Sequence, residues 1–420
     1  MTKALLRIAA ESAWNRRGTL GLVVFSLALS VVLLLGVEQL RNTARTSFEQ
    51  SVSGVDLIVG ARTSPVQLLL YSVFRLGSGV QSMQWQSFQA IASHRAVAWA
   101  IPISLGDSHH RFPVLGTTST YFERFQYGDR KHLELGAGKP FAGLFEAMLG
   151  SDVARTLGYR IGDRIVLEHG SHAGGREHAD KPFVVVGILV PTGSPVDRTI
   201  HITLEALEAI HLEWQGGTLL PGLGIPAEHV TKFDLTPKEI TAALVALKNR
   251  ADALDFQTFV NGFKDEPLLA ILPGVALSEL WAITGKIETI LLAISGLVFA
   301  VAVLGLVAVL LAGLGERRRE LAILRSVGAG PLVVLGLLAV EGLLVVTAGV
   351  AAGVVCVLAA IAIAQPAITS QLGVAIPAFQ LSQHALVVLS ILMLAGFFVS
   401  LFPGVRAYRL ALADGLSPRL

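Results

Sequence analysis

Four long apolar segments constrain what this chain can fold into. Residues 18–37, 290–314 and 385–402 contain no charged side chain, and residues 331–364 contain only Glu341. A helix needs about 20 mostly apolar residues to cross the hydrocarbon core of a bilayer, so each segment is long enough to span a membrane. We therefore predict four transmembrane helices.

The chain between the first two apolar segments has a different composition. Residues 41–284 contain 21 of the 33 lysines and arginines and 24 of the 31 acidic residues. This is the composition of a water-soluble domain, and a segment of this length can build a hydrophobic core of its own. The sequence therefore predicts a membrane protein of four transmembrane α-helices, with a large extracytoplasmic domain inserted between helices 1 and 2.

The soluble segment mixes strand-like and helix-like patterns without a regular alternation, which predicts an α+β domain. Runs rich in Val and Ile predict strands at residues 55–59, 96–105, 111–115, 164–168 and 183–190. We predict helices at residues 151–157, 204–210 and 236–250, the last because Thr236, Pro237 and Glu239 match a capping box. Two subdomains are expected, one of them between about Pro65 and Phe125.

The positions of lysine and arginine predict how the chain is oriented. They occur in the N-terminal tail, in the loop after the second apolar segment and in the C-terminal tail, but residues 365–383 have none. Short cationic segments stay in the cytoplasm, so both termini are expected there and residues 41–284 outside. The predicted division is a cytoplasmic amphipathic helix or plain overhang at 1–17, membrane spans at 18–40, 285–314, 331–364 and 384–403, a cytoplasmic loop at 315–330, an outer loop at 365–383 and a cytoplasmic tail at 404–420.

Several classes of protein are excluded by what the sequence lacks. Cys356 is the single cysteine, so the chain is not a disulfide scaffold. A net charge of +2 does not fit a nucleic-acid binder. The chain has no G-x-x-x-x-G-K-[ST] phosphate-binding loop and no G-x-S-x-G nucleophile motif. We therefore predict that it is not an enzyme, and that any ATP hydrolysis occurs in a partner subunit.

Three segments resemble those of a known family. They are GSDVARTLGYRIGD at residues 150–163, GERRRELAILRSVGA at 315–329 and PGVRAYRLALADGL at 403–416. Together with four membrane spans, they resemble permeases of the MacB/FtsX family, the type VII ABC transporters. The resemblance implies a homodimer in the bacterial inner membrane with two copies of a separate ATPase, which binds ATP and magnesium. A periplasmic adaptor or substrate-binding protein is a further expected partner.

The family resemblance also implies a mechanism. ATP-driven closure of the ATPases would move the outer domains through the membrane helices, and so export or extract a substrate from the membrane or periplasm. The alternative is a transmembrane signal transducer, which regulates an extracytoplasmic partner without transporting a substrate. A membrane-anchored enzyme is a third class, but the sequence has no catalytic constellation to support it.

The arginine-rich segment between the second and third membrane spans is the predicted contact with the ATPase. A short helix with apolar anchors and arginine side chains can bind a groove of another protein through charge-assisted hydrogen bonds. The alternative is that these cations only set the topology and contact anionic lipid. The residues assigned to this contact are Glu316, Arg317, Arg318, Arg319, Glu320, Leu321, Leu324 and Arg325.

Glu341 is the one charged residue within the four apolar segments. A carboxyl group within a bilayer carries a high free-energy cost, so a residue of this kind is expected to have a function. We expect it to face protein and to serve helix packing or coupling between helices rather than substrate recognition. Small residues of the same span predict close helix packing, and these are Ala348, Gly349, Ala351, Ala352 and Gly353.

A second candidate site lies in the soluble segment, which holds ten of the eleven histidines. His169, His172 and His178 occur in a polar, glycine-rich loop between two predicted strands. Neutral imidazoles there can bind zinc or another transition metal, as substrate or ligand, with Glu168, Glu177 or Asp180 adding an oxygen. The alternative is an ordinary solvated hairpin loop.

Overall fold

The computed structural model describes residues 16–51, 53–77, 81–170, 177–215, 218–219, 225–316, 330–372 and 382–414. These residues form two compact units. One contains the extracytoplasmic domain (residues 44–283, with 366–376), and the other contains the apolar helices. Residues 1–15, 317–329, 373–381 and 415–420 lie outside the described residues. They include most of the N-terminal segment predicted to be amphipathic, the arginine-rich segment and part of the predicted outer loop.

Ten α-helices and seventeen strands are described. The helices are α1 (Arg17–Gln50), α2 (Pro65–Ser72), α3 (Trp85–Ala92), α4 (Thr120–Arg124), α5 (Ser151–Leu157), α6 (Leu204–His211), α7 (Ala253–Asn261), α8 (Pro273–Glu316), α9 (Pro331–Leu372) and α10 (Gln383–Asp414). The strands are β1 (Leu57–Ala61), β2 (Met83–Gln84), β3 (Val97–His109), β4 (Phe112–Thr117), β5 (Gln126–Tyr127), β6 (Lys131–His132), β7 (Leu135–Gly138), β8 (Glu146–Leu149), β9 (Arg164–Ile165), β10 (Glu168–His169), β11 (Phe183–Leu189), β12 (Ile200–Thr203), β13 (Trp214–Gln215), β14 (Thr218–Leu219), β15 (Glu239–Ile240), β16 (Ala242–Leu247) and β17 (Leu268–Ile271).

One large mixed sheet organises the extracytoplasmic domain. Its main strands run in the order β17-β1-β16-β3-β4-β12-β8-β11-β7, with β10 paired to β3 and β9 paired to β11. The pairs β4–β12 and β8–β11 are parallel, and the other pairs are antiparallel. Helices and strands are thus mixed as expected, and the predicted α+β domain is confirmed.

The sheet is covered on both faces, which accounts for its apolar strands. Ile58 of β1 packs in the same core cluster as Leu68 and Leu69 of α2. Its neighbours Leu57 and Val59 point the other way, into a cluster with α3 and α7. Alternate residues of a strand face opposite sides of a sheet. Every residue of β1 is therefore buried, and the strand reads as a continuous apolar run.

The helix predicted at Thr236–Arg250 is wrong. The segment forms β15 and β16, and β16 lies between β1 and β3 with all six residues buried. A strand covered on both faces needs apolar side chains at successive positions, so AALVAL carries no alternating pattern that would distinguish it from a buried helix. The expected cap at Thr236 is instead a turn, in which the Thr236 amide donates to Asp234 Oδ1 at 3.0 Å.

The glycines of residues 150–163 have a structural reason. A Cβ at Gly150 would lie 2.3 Å from the carbonyl oxygen of Val196, so only glycine permits this close approach of two main chains. Helix α5 then ends at Gly158, which has φ of +74°, the left-handed conformation that favours glycine. The following turn is held by Asp163, whose Oδ2 accepts from the Arg160 amide at 2.7 Å.

The second unit contains four helices that are long and apolar enough to cross a membrane. Their candidate spans are Arg17–Thr43, Pro273–Ala312, Leu335–Gln365 and Ala385–Phe402, by length and composition. This confirms the predicted fold class. Helices α1 and α9 approach closely at glycines, since a Cβ at Gly349 would lie 2.6 Å from Cβ of Leu27, and one at Gly353 would lie 2.6 Å from Cβ of Val31.

Candidate metal centre

Four side chains with metal-binding atoms converge in the extracytoplasmic domain. They belong to Asp107, His169, His178 and His211, and their ligand atoms all lie within 4.8 Å of one another. Asp107 is fully buried and His178 is 2% exposed. The side chains of His169 and His211 are 34% and 26% exposed, so the cluster reaches the surface on their side.

The sheet brings the first two residues together. Strand β10 pairs with β3 in a register that sets His169 opposite Asp107. Directly opposed residues of an antiparallel pair have Cβ atoms about 5 Å apart on the same face, so their side chains meet. Asp107 Oδ1 lies 3.2 Å from His169 Nδ1 as a result.

The other two histidines come from segments that are also anchored by hydrogen bonds. The His178 amide donates to the carbonyl of Leu167 at 2.8 Å, which returns the chain to the position just before β10. His211 is the last residue of α6, a helix whose start is capped by Thr203 through the Ala206 amide at 3.1 Å. His211 Nε2 lies 3.0 Å from His169 Nδ1 and 3.4 Å from Asp107 Oδ2.

The protonation of these groups follows from burial and from one another. Burial, with the neighbouring His211 and His169, lowers the pKa of His178 to about 4, although Asp107 acts the other way. His178 is therefore neutral at pH 7. Burial alone would raise the pKa of Asp107, but hydrogen bonds from His169 and His211 hold it below its usual range. A buried carboxylate thus faces imidazole nitrogens.

A buried ion pair fixes the segments that carry His178 and His211. Lys181 is 1% exposed, and its Nζ donates to Glu213 Oε1 at 2.8 Å and also to Asp180. Burial alone would lower the pKa of Lys181, but these two carboxylates raise it above its usual value, so it stays charged. The Lys181 amide also donates to the His178 carbonyl at 3.0 Å. These bonds connect the end of the histidine loop, the segment between His169 and His178, to the chain just after α6.

The structure changes the predicted ligand set. His169 and His178 are brought together, whereas His172 lies outside the described residues. The cluster of described residues does not contain Glu168, Glu177 or Asp180. Asp180 instead pairs with Lys181. Asp107 and His211 were missed because they are distant in sequence. The available signal was that Asp107 precedes the His109-His110 pair and that His211 follows a predicted helix.

The other predicted sites lie in the apolar unit. Glu341 is fully buried on α9, and the adjacent Gly342 packs so closely on α10 that a Cβ would lie 2.3 Å from Cβ of Ser400. Glu316 is the last residue of α8. The rest of the predicted ATPase contact, which is Arg317, Arg318, Arg319, Glu320, Leu321, Leu324 and Arg325, lies outside the described residues.

Two family models match the chain. The MacB-like periplasmic core domain model matches residues 19–253, and the FtsX-like permease C-terminal model matches residues 292–412. A search of curated proteins finds no match.

Two solved structures of outer domains are similar in part. The extracellular domain of the noncanonic ABC-type transporter YknZ from Gram-positive bacteria is 14% identical, with a TM-score of 0.29, covering 45% of this chain and 89% of that one. The periplasmic region of MacB from Actinobacillus actinomycetemcomitans is 9% identical, with a TM-score of 0.32, covering 54% of this chain and 93% of that one. The two family matches span more than half of the sequence, and the chain belongs to the MacB/FtsX family of permeases, as a multi-pass membrane subunit of a type VII ABC system.

Proposed function

We propose that this permease couples ATP hydrolysis by a separate ATPase subunit to movement of its extracytoplasmic domain, and thereby exports or extracts a substrate from the membrane or periplasm. The observation that carries the proposal is the length of α8. Pro273–Glu316 is one continuous helix of 44 residues. At 1.5 Å per residue it is about 66 Å long, roughly twice the thickness of the hydrocarbon core.

A helix of this length can transmit a displacement along its axis. Its hydrogen bonds run parallel to the axis, so it resists stretching more than an irregular linker does. Helix α8 ends at Glu316, where the arginine-rich segment begins. In the proposed mechanism, movement of that segment by the ATPase is carried along α8 to the outer domain.

Contacts among the apolar helices support the same mechanism. Arg41 of α1 donates to Glu288 of α8 at 2.8 Å, and Ser382 donates to Glu38 of α1. With the glycine contacts between α1 and α9, these bonds hold the helices to one another. Such packing favours movement of the helices as a group over independent sliding.

The proposed assembly contains two permeases and two ATPase subunits in the bacterial inner membrane. Both termini and the arginine-rich segment lie in the cytoplasm in this proposal, because these segments carry 11 of the 12 lysines and arginines outside residues 41–284. ATP and magnesium are bound by the partner, since this chain has no phosphate-binding loop.

The coupling segment is tested by charge reversal. Arg317→Glu/Arg318→Glu/Arg319→Glu is expected to abolish co-purification with the partner ATPase, because three attractive charges become repulsive. The matched control is Arg406→Glu/Arg409→Glu, which reverses cytoplasmic charges in the C-terminal segment. Unchanged complex formation by the triple variant, at equal amounts of inserted permease, would contradict the assignment.

Transport and signal transduction are distinguished by what stimulates ATP hydrolysis. The permease and ATPase are reconstituted together in nanodiscs, and ATPase rates are measured with candidate small substrates and with candidate periplasmic proteins. Stimulation by a substrate that is also released or moved supports export or extraction. Stimulation by a protein partner alone, with no substrate moved, supports the transducer instead.

A further inference from the structure

We propose that the extracytoplasmic domain binds one Zn²⁺ ion between Asp107, His169, His178 and His211. The proposal stands on the side-chain geometry of this domain and does not depend on ATPase coupling. It combines two of the three histidines that the sequence indicated, His169 and His178, with Asp107 and His211 in a four-ligand site.

The spacing of the ligand atoms fits a tetrahedral zinc ion. Bonds from zinc to nitrogen or oxygen are about 2.0–2.1 Å long, which places neighbouring ligand atoms about 3.3 Å apart. His169 Nδ1 and His211 Nε2 are 3.0 Å apart, and the Asp107 carboxylate directs one oxygen to each of them, Oδ1 at 3.2 Å from His169 and Oδ2 at 3.4 Å from His211. The His178 ligand atom lies within 4.8 Å of the others, so each of these separations exceeds the tetrahedral edge by at most about 1.5 Å.

The chemistry of the donors selects the metal class. Three imidazoles and one carboxylate suit zinc and neighbouring transition metals, whereas calcium and magnesium prefer all-oxygen sites. Four protein ligands leave no open position in a tetrahedral ion. The site is therefore suited to binding or sensing the metal rather than to hydrolytic chemistry.

Neighbouring groups orient the ligands. The His211 ring forms a hydrogen bond with the main-chain carbonyl of Leu207, one turn earlier in α6. Since Nε2 faces His169 and Asp107, that bond is made by Nδ1. When a metal ion displaces the Nε2 proton, the Nε2 lone pair is therefore already directed into the site. The partial exposure of the His169 and His211 side chains gives an ion a path from solution.

Metal binding connects three separate parts of the domain. Asp107 belongs to β3, His169 and His178 flank the histidine loop, and His211 ends α6. An ion bound by all four would fix the two ends of that loop to β3 and α6. The expected consequence is a higher thermal unfolding midpoint in the presence of zinc, because binding to the folded state alone stabilises it.

The test uses the full-length permease in nanodiscs, purified through a histidine-free tag and stripped with a chelator. Isothermal titration with Zn²⁺ is expected to show one ion per chain with a dissociation constant of about 10 µM or tighter. His178→Ala and His211→Ala are each expected to weaken binding at least about a hundredfold, because loss of a mere supporting group already costs 10–100-fold. His229→Ala, an exposed histidine of the same domain, serves as the matched control and should bind as the parent does.

A second readout separates ligand loss from misfolding. Co²⁺ replaces zinc in four-coordinate sites and gives an intense visible absorption, which His211→Gln should abolish while the metal-free variant still unfolds in one cooperative transition. His211 suits this variant because its side chain is partly exposed at a helix end. Binding weaker than about 10 µM in the parent, or equal affinity in the His178 and His211 variants, would overturn the proposal.

Discussion

Lys181 and Glu213 form a buried ion pair, with Nζ and Oε1 2.8 Å apart and side chains only 1% and 7% exposed. Glu213 Oε1 also accepts from the Ile225 amide at 2.8 Å, so the pair joins three segments. Removal of one member of such a pair leaves a buried charge without compensation, which is more damaging than loss of the attraction itself.

We therefore expect Lys181→Met to destabilise the domain by about 3–5 kcal/mol. This corresponds to a fall of roughly 6–20 °C in the unfolding midpoint, measured by tryptophan fluorescence of the full chain. The control is Lys139→Met. Lys139 pairs with Glu146 at 3.3 Å, but its side chain is 66% exposed. This substitution should therefore lower the free energy of unfolding by about 1 kcal/mol or less. Equal effects of the two substitutions would refute the role of burial.

Packing of α1 on α9 should be sensitive to any side chain at Gly353. A Cβ there would lie 2.6 Å from Cβ of Val31 and 2.9 Å from the Ala28 carbonyl oxygen, so Gly353→Val forces the helices apart. The expected cost is about 1–3 kcal/mol, seen as a lower unfolding midpoint and weaker ATPase coupling. Gly336→Val on the same helix meets no atom within 4 Å and is expected to be tolerated.

Glu341 is buried in the apolar unit beside Gly342, which contacts Ser400. If its function is packing through hydrogen bonds, Glu341→Gln should keep most of the ATPase coupling, because glutamine has the same shape and can still bond. Glu341→Leu should lose it, because leucine has no polar atom. Coupled ATPase rates in nanodiscs compare the two variants, and equal loss in both would show that the negative charge is required.

The burial of His201 predicts that the extracytoplasmic domain loses stability in acid. It is fully buried on β12 against the rings of Tyr121 and Phe122, and burial, with the nearby Arg75, lowers its pKa to about 3. Below the unfolded-chain pKa of about 6.5, only the unfolded chain binds this proton. The contribution of neutral His201 to the free energy of unfolding is therefore complete above a pH of about 6.5. It decreases as the pH falls toward about 3, by up to about 1.4 kcal/mol per pH unit.

The measurement is the unfolding midpoint of the full chain between pH 4 and pH 7. His201→Leu should flatten the acid side of this profile, whereas His229→Leu, at an exposed position, should leave it as it is. A His201→Leu profile parallel to that of the parent would mean that other groups cause the acid loss.

Local features of this fold could be predicted from sequence, but non-local ones could not. Helix α5 was predicted with its observed bounds, because Gly158 marks its end. Strand β16 was mistaken for a helix, because its character comes from its neighbours β1 and β3 rather than from its own pattern. Half of the four-residue cluster was predicted for the same reason: His169 and His178 are close in the chain, but Asp107 joins them through strand register and His211 through the position of α6.

The placement of β1 beside β17 has a mechanical consequence for the domain. The chain enters the sheet on β1 and leaves it on β17, and these strands are antiparallel, with Ile58 opposite Ile271. The start of one strand and the end of the other therefore lie at the same end of the sheet. An equal force on the residues that precede β1 and on those that follow β17 pulls both strands in the same direction and does not slide one past the other. Opposed traction shears the backbone hydrogen bonds between β1 and β17, so this strand pair is more sensitive to a difference in force between its two ends than to an equal force on both.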